Sequence, residues 1–251
     1  MTIDATYFKA RENHRIISKA FMIAYATDDQ GHREVLGFGV YANESKETWK
    51  SFIRDLKARG LRNVLMITSD AHEGLCDAIS KEFPQAAWQR CQFHFSKNIA
   101  EKAPKKYQAG IRSELSEMFN CATIEEARRK RDSIIADYQD VAESAMTCLD
   151  EGFESSMTAM ILPKYLRQYF RTSNHIERIN RELKRRSKVI GVFPNEASIL
   201  RLMGSVLMEL NDAAQARKAL FSPKTYNNLM SAEVKSKLII LANEQHLLRV
   251  L

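Results

Sequence analysis

The sequence predicts an α/β fold, a mixed sheet with flanking helices and an inserted all-helical subdomain. Three observations predict it. Five apolar, β-branched or aromatic segments precede Cys91, interrupted by two helical patterns, in the order βββαβαβ. Most of Ile99 to Leu162 is rich in Lys, Arg, Glu and Ala and holds no strand-like run. Helical periodicity resumes after Pro163. The implied division is a discontinuous core of residues 1–98 and 164–221, a helical insertion over 99–163 and a helical tail over 222–251.

Taken in order, Ile3 to Lys9 reads as a strand in which aromatic and β-branched residues surround a single acid, Asp4. Arg11 to Arg15 is a polar turn. The long apolar run Ile16 to Ala26 reads as a central strand, Asp28 to Gly31 as a turn and Glu34 to Tyr41 as a third strand. From Asn43 to Arg59 the spacing of Trp49, Phe52, Ile53 and Leu56 is helical, and Gly60 is the stop. Val64 to Thr68 is a short apolar strand that delivers Ser69 and Asp70. Gly74 to Phe83 is a helix ended by Pro84, Ala86 to Gln89 a fifth strand, and from about Phe93 the chain turns helical. Leu166 to Phe170 leads into a helix at Asn174, and Ser198 to Leu210 is a further apolar helix.

Composition narrows the class. A chain of 251 residues with 45% hydrophobic residues is long enough for a large core. Its net charge of +7 and pI near 9.2 favour a polyanionic partner, nucleic acid ahead of a membrane surface. Cys76, Cys91, Cys121 and Cys148 are scattered and contain no CxxC, which fits a reducing cytoplasm and argues against a disulfide framework. No apolar run is long enough to span a bilayer.

The stretch Arg171 to Glu196 carries the strongest local signal. Between Arg171 and Lys188 seven cations stand against two acids, Glu177 and Glu182. Asn174 is the expected N-cap, with Glu177 at capping-box spacing. Ile176, Ile179, Leu183 and Ile190 form an apolar stripe. Glu177 falls on one shoulder with Asn180, Arg181 and Lys184, and Glu182 on the other with Arg178 and Arg186. Gly191 and Pro194 end the element. Taken alone, Glu177 could simply close the helix N-terminus and the cations form a solvated face.

Asp4, Asp70 and Glu177 occupy distinctive places: the first strand, the end of the fourth, and the first turn of a late helix. A sheet of this order sets its first and fourth strands side by side, so Asp4 and Asp70 could converge with Glu177 reaching over that edge. Three carboxylates without a His or Cys partner suit Mg²⁺ or Mn²⁺, and such a site suits phosphodiester chemistry.

Longer motifs then carry a resemblance. They are Asp4-Ala-Thr-Tyr, Arg33-Glu-Val-Leu-Gly-Phe, Trp49 through Leu56-Lys-Ala-Arg-Gly-Leu61, Ser69-Asp-Ala-His-Glu-Gly-Leu75, Trp88-Gln-Arg-Cys-Gln-Phe-His-Phe95, Arg171-Thr-Ser-Asn-His-Ile-Glu-Arg-Ile-Asn180, Lys184-Arg-Arg186 and Val189-Ile-Gly-Val-Phe-Pro-Asn195. In this order, and reaching to about Leu210, they resemble the catalytic region of bacterial Mutator-type insertion-sequence transposases. The resemblance implies an RNase H-like fold, a DDE site of Asp4, Asp70 and Glu177, Mg²⁺ or Mn²⁺ as cofactor, and cleavage and strand transfer on double-stranded DNA, at transposon ends and target. By analogy it also implies a homodimer on DNA in the bacterial cytoplasm, at the nucleoid, with no membrane role. Arg178, Arg181, Lys184 and Arg185 are the candidate phosphate contacts.

The resemblance also covers Cys91 and His94, a C-x₂-H motif expected to support the active site or the structure. A zinc site would need two further ligands, and Cys121 and Cys148 offer no matching spacing. His72 and His175 flank catalytic positions as surface or supporting residues, with a direct role as the alternative. Trp88 is expected to pack in the core rather than stack on a base. Two departures bear on function. The chain is expected to lack the family's N-terminal end-recognition region, with three residues before Asp4, and Ala214 stands where the family has tryptophan. A truncated, non-catalytic DNA-binding remnant is therefore the alternative to a catalytic domain, and a stand-alone RNase H-type nuclease the third reading.

Overall fold

The computed structural model describes residues 1–250; Leu251, the last residue of the expected tail, lies outside the described residues. Strands β1 (Thr2–Glu12), β2 (Arg15–Thr27) and β3 (Arg33–Tyr41) form an antiparallel meander. The first turn is tighter than the polar stretch Arg11 to Arg15 suggests. Glu12 pairs with Arg15 across it, and only Asn13 and His14 turn, both left-handed at φ 49° and 63°. In the second turn the Asp28 carboxylate accepts the N–H groups of Gln30 and His32 at 2.9 and 2.8 Å, and Gly31 takes φ 82°.

Helix α1 (Lys46–Ala58) starts with a capping box between Ser45 and Thr48 and buries Trp49, Phe52, Ile53 and Leu56. Then come β4 (Met66–Ser69), buried throughout, α2 (Glu73–Glu82) and β5 (Ala87–Arg90). The five strands form one mixed sheet in the order β3-β2-β1-β4-β5, which sets β1 beside β4 as expected. After the sheet the chain is helical: α3 (Gln92–Glu101), α4 (Lys105–Phe119), α5 (Ile124–Ser156), a 3₁₀ turn at Thr158–Ile161 and α6 (Lys164–Phe170). Helix α5 is broken at Ala142, whose φ of −150° and ψ of 43° are not helical. The chain continues with α7 (Asn174–Ser187), α8 (Glu196–Gln215), α9 (Pro223–Leu229) and α10 (Ala232–Val250).

Two compact units emerge. The first holds Met1–Ile67, Ala71–Ala87 and the chain from Ser173 onward; the second holds Thr68–Asp70 and Trp88–Thr172. In the first, Phe8, Phe21 and Ile23 of the meander pack with Ile176 and Leu183 of α7, with Ile199, Met203 and Leu207 of α8, and with Phe193 between those helices. Each such buried side chain contributes about 1.5–3 kcal/mol. Phe193 is also held by its backbone, donating to the carbonyl of Lys9 at 2.8 Å and accepting from Arg11 N–H at 2.9 Å. This anchors the connection that follows α7 to the far end of β1. In the second unit, Phe95 and Ile99 of α3, Ile111, Leu115 and Met118 of α4, and Ile134, Leu149 and Phe153 of α5 form a separate core. All four cysteines are free thiols. No helix among the described residues is long and apolar enough to cross a membrane.

Candidate active site

Asp4 sits near the start of β1, paired in register with Ile23. Side chains alternate along a strand, so Asp4 shares its face with Thr6, Phe8 and Ala10. All three are buried, and Phe8 and Ala10 belong to the core that α7 and α8 cover. Asp4 is therefore an acid on the covered face of a strand, and α7 supplies its partner. The amide of Asn180 donates to Asp4 Oδ2 at 2.8 Å. Asn180 lies on the buried stripe of α7 between Ile176 and Leu183, at positions i, i+4 and i+7, and is only 8% exposed. Its side-chain oxygen is buried and finds no hydrogen-bond partner among the described residues.

Glu177 lies one turn before Asn180 on the same helix, half-buried. Its Oε1 accepts the hydroxyl of buried Ser173 at 2.9 Å. Here the expected cap needs correction. Ser173, not Asn174, is the N-cap of α7, and its hydroxyl makes no cap bond to the helix backbone because it is turned to Glu177. Asn174 is the first helical residue and is exposed. The apolar stripe is also shorter than expected. Ile176 and Leu183 are fully buried, whereas Ile190 falls beyond Ser187 and is 39% exposed.

Asp70, in the second unit, directly follows β4 and is half-buried. The residue before it is pinned three ways. Ser69 Oγ donates to the Asp70 carbonyl at 2.7 Å and accepts the indole N–H of Trp88 at 2.9 Å. The Ser69 carbonyl accepts Cys91 N–H at 2.7 Å. Trp88 is thus a buried support for the strand end, not an exposed stacking platform. Cys91 is the buried N-cap residue of α3, and His94 sits in that helix's first turn, its ring edge-on to Phe93 at 5.6 Å.

The expected cationic face is present, with its members differently engaged. Arg178, Arg181, Lys184 and Arg185 are all exposed. Arg185 spends its fork on Glu182, at 2.8 and 2.7 Å, and Arg186 joins it at 2.9 Å. Hydrogen bonds from Arg185, then Arg186, hold the Glu182 carboxyl down at about 2. Arg178, Arg181 and Lys184 have no carboxylate partner among the described residues. His175 stacks on Tyr25, ring centroids 6.2 Å apart. Burial first, with Arg33 and Arg178 adding, lowers its pKa to about 4, so the ring is neutral at pH 7. His72 is the half-buried N-cap residue of α2.

In chemical terms the first unit offers two carboxylates and an orphaned amide oxygen along one helix–strand seam. These are hard oxygen donors, and a buried acceptor without a donor beside a carboxylate fits a hydrated divalent cation. In the sequence Asn180 falls on the same helix shoulder as Glu177, with no role attached to it. The available signal was a polar residue at the i+4 position between Ile176 and Leu183.

The family model for transposases of the Mutator family matches residues 1–216. The chain is 39% identical over 227 residues to the transposase for insertion sequence element IS256 in transposon Tn4001 of Staphylococcus aureus, covering 90% of this chain and 57% of that protein. It is 36% identical over 212 residues to the IS1081 transposase of Mycobacterium tuberculosis, covering 84% and 51%. It is 37% identical over 215 residues to the IS406 transposase of Burkholderia multivorans, covering 84% and 54%. The chain therefore spans a little over half the length of these relatives, and it belongs to the Mutator family of transposases.

Proposed function

We propose that this chain is the catalytic region of a DDE-type transposase with an RNase H-like core, acting on double-stranded DNA. The observation that carries the reading is family membership over residues 1–216, joined to the tie between β1, which bears Asp4, and α7, which bears Glu177. In this reading residues 1–98 and 164–221 form the core, 99–163 is an insertion and 222–251 an appended tail. Asp4, Asp70 and Glu177 hold Mg²⁺ or Mn²⁺. When bound there, Mg²⁺ or Mn²⁺ would supply Lewis-acid chemistry suited to phosphodiester cleavage.

The chain's own groups prepare the site. Asn180 and Ser173 each fix one carboxylate oxygen, which limits the rotamers of Asp4 and Glu177 before any ligand arrives. The bonds among Ser69, Trp88 and Cys91 fix the backbone that carries Asp70. Arg178, Arg181 and Lys184 meet the DNA backbone without having to break an ion pair first. Cys91 and His94 support the site from the start of α3. The protein acts as a homodimer on DNA, at the nucleoid of the bacterial cytoplasm.

The test is Mn²⁺-dependent nicking or strand transfer on transposon-end DNA. The wild-type chain is expected to cut, and Asp70→Ala to lose at least 100-fold in rate, the scale on which removing one essential group acts. Equal activity in Asp70→Ala rejects the assignment. DNA binding without any cleavage, unchanged in Asp70→Ala, shows a non-catalytic remnant instead. A preference for RNA–DNA hybrid over duplex DNA shows an RNase H-type nuclease.

A further inference from the structure

We infer that Asn180 is a positioning residue of the acidic site. Its amide N–H fixes Asp4, and its side-chain oxygen receives a hydrogen bond from water on a divalent cation held there. This deepens the site reading above and rests on it.

Four observations lead to it. The first is location. At 8% exposure, between fully buried Ile176 and Leu183, Asn180 occupies a place on α7 where leucine or isoleucine would extend the apolar stripe. A buried polar side chain is costly there unless it is satisfied. The second is direction. The Nδ2–Asp4 Oδ2 contact of 2.8 Å orients the amide. Turning the amide over would set its oxygen against a carboxylate oxygen, so the charge of Asp4 fixes which end faces it.

The third is the orphan. With the amide so held, Oδ1 is buried and unpartnered among the described residues, a cost of roughly 1–3 kcal/mol. A strong donor beside Asp4 removes that cost, and water on a divalent cation is such a donor. The fourth is spacing. Asn180 follows Glu177 by three residues, one helical turn, so the bond to Asp4 also sets where α7 presents Glu177 along β1. Serving only to tie helix to strand would leave the orphaned oxygen unexplained.

Mn²⁺ binding to the purified chain, followed by the electron paramagnetic resonance of free Mn²⁺, tests this without relying on catalysis. Wild type, Asp4→Ala, Asn180→Ala and Asn180→Leu are compared, each with a thermal melt. Asp4→Ala tests the underlying site: wild-type Mn²⁺ affinity in it overturns the acidic-site reading, and this inference with it. Given loss of binding in Asp4→Ala, the inference predicts that Asn180→Ala weakens Mn²⁺ affinity by tenfold or more, as removal of a supporting partner does. Asn180→Leu completes the apolar stripe and keeps a folded comparison if the alanine variant melts early; it is expected to melt no lower than wild type yet bind Mn²⁺ at least tenfold more weakly. Wild-type Mn²⁺ affinity in folded Asn180→Leu overturns the positioning role while leaving the acidic site intact.

Discussion

Ser173 and Asn180 stand on either side of Glu177 along α7, and each gives a hydrogen bond to an acid. Removing the hydroxyl tests the simpler of the two. Ser173→Ala is expected to lower the nicking rate by about tenfold, with about 1 kcal/mol lost in the melt, the usual net worth of one hydrogen bond. Full-rate nicking by Ser173→Ala would show that Glu177 needs no such hold. His175 makes a pH prediction. Its folded pKa, about 4, lies below the ordinary histidine value of 6.5. The neutral ring costs nothing above pH 6.5; as pH falls from there toward 4, the unfolded chain gains a proton that the folded one refuses, and stability is lost. His175→Phe keeps a stacked ring, so wild type should lose about 1–2 kcal/mol more than His175→Phe between pH 7 and pH 4.5. Parallel stability–pH curves for the two would contradict the burial. Asp4, Asp70 and Glu177 stand out as candidates from their flanking residues in the chain. Asn180 was not, since its role depends on a partner 176 positions away.

At the level of elements, strands and helices were legible wherever apolar periodicity was uninterrupted: β2, α1 and α8 appear close to where the pattern puts them. Boundaries set by turn chemistry or distant partners were not. The β1–β2 hairpin runs further than Arg11 to Arg15 suggests because Asn13 and His14 both accept positive φ. The break at Ala142 in α5 has no proline or glycine to announce it. Two element contacts carry predictions. The Glu82 carboxylate at the end of α2 meets Arg54 at 2.7 Å and Lys57 at 3.2 Å on α1. Burial alone would raise its pKa, but the bonds from Arg54 and Lys57 outweigh burial and hold it below the usual value. Its stabilisation is therefore present above the unfolded value near 4.5 and fades as pH falls through the folded one. Glu82→Gln should cost about 1 kcal/mol at pH 7, the upper end for partly exposed pairs, with the difference shrinking below pH 4.5. A constant difference down to pH 3 would contradict the ion pairing. In the second unit, Gly152 of α5 faces α3 so closely that a methyl there would lie 2.6 Å from Phe95 Cζ and 2.5 Å from an Arg90 guanidinium nitrogen. The Phe95 ring is fully buried and cannot swing away. Gly152→Ala should destabilise by about 1–3 kcal/mol despite alanine's better helix propensity; a stabilised variant would show that α3 yields.

At the scale of the whole molecule, the net charge of +7 pointed to a polyanionic partner before any motif was considered. It could not say which cations are available to one. That depends on pairing: Arg185 is occupied by Glu182, while Arg178, Arg181 and Lys184 have no carboxylate partner among the described residues. Alanine at Arg178, Arg181 or Lys184 should each reduce the slope of log K against log salt for duplex DNA by about 0.9. Arg185→Ala should change it less, since its guanidinium is already engaged by Glu182. Equal losses at all four would contradict this ranking. The sheet order was legible because a βββαβαβ chain with short connections has few ways to place its fourth strand. The acid–amide seam between β1 and α7 was not, since it depends on how far α7 slides along the strand. The central claim is that Asp4, Asp70 and Glu177 jointly hold a divalent cation. The most direct test is anomalous diffraction from crystals of this chain soaked in Mn²⁺. The account predicts a peak within about 2.5 Å of carboxylate oxygens from all three residues. A well-ordered crystal whose peak lies elsewhere, or whose three carboxylates share no common ion, would contradict it.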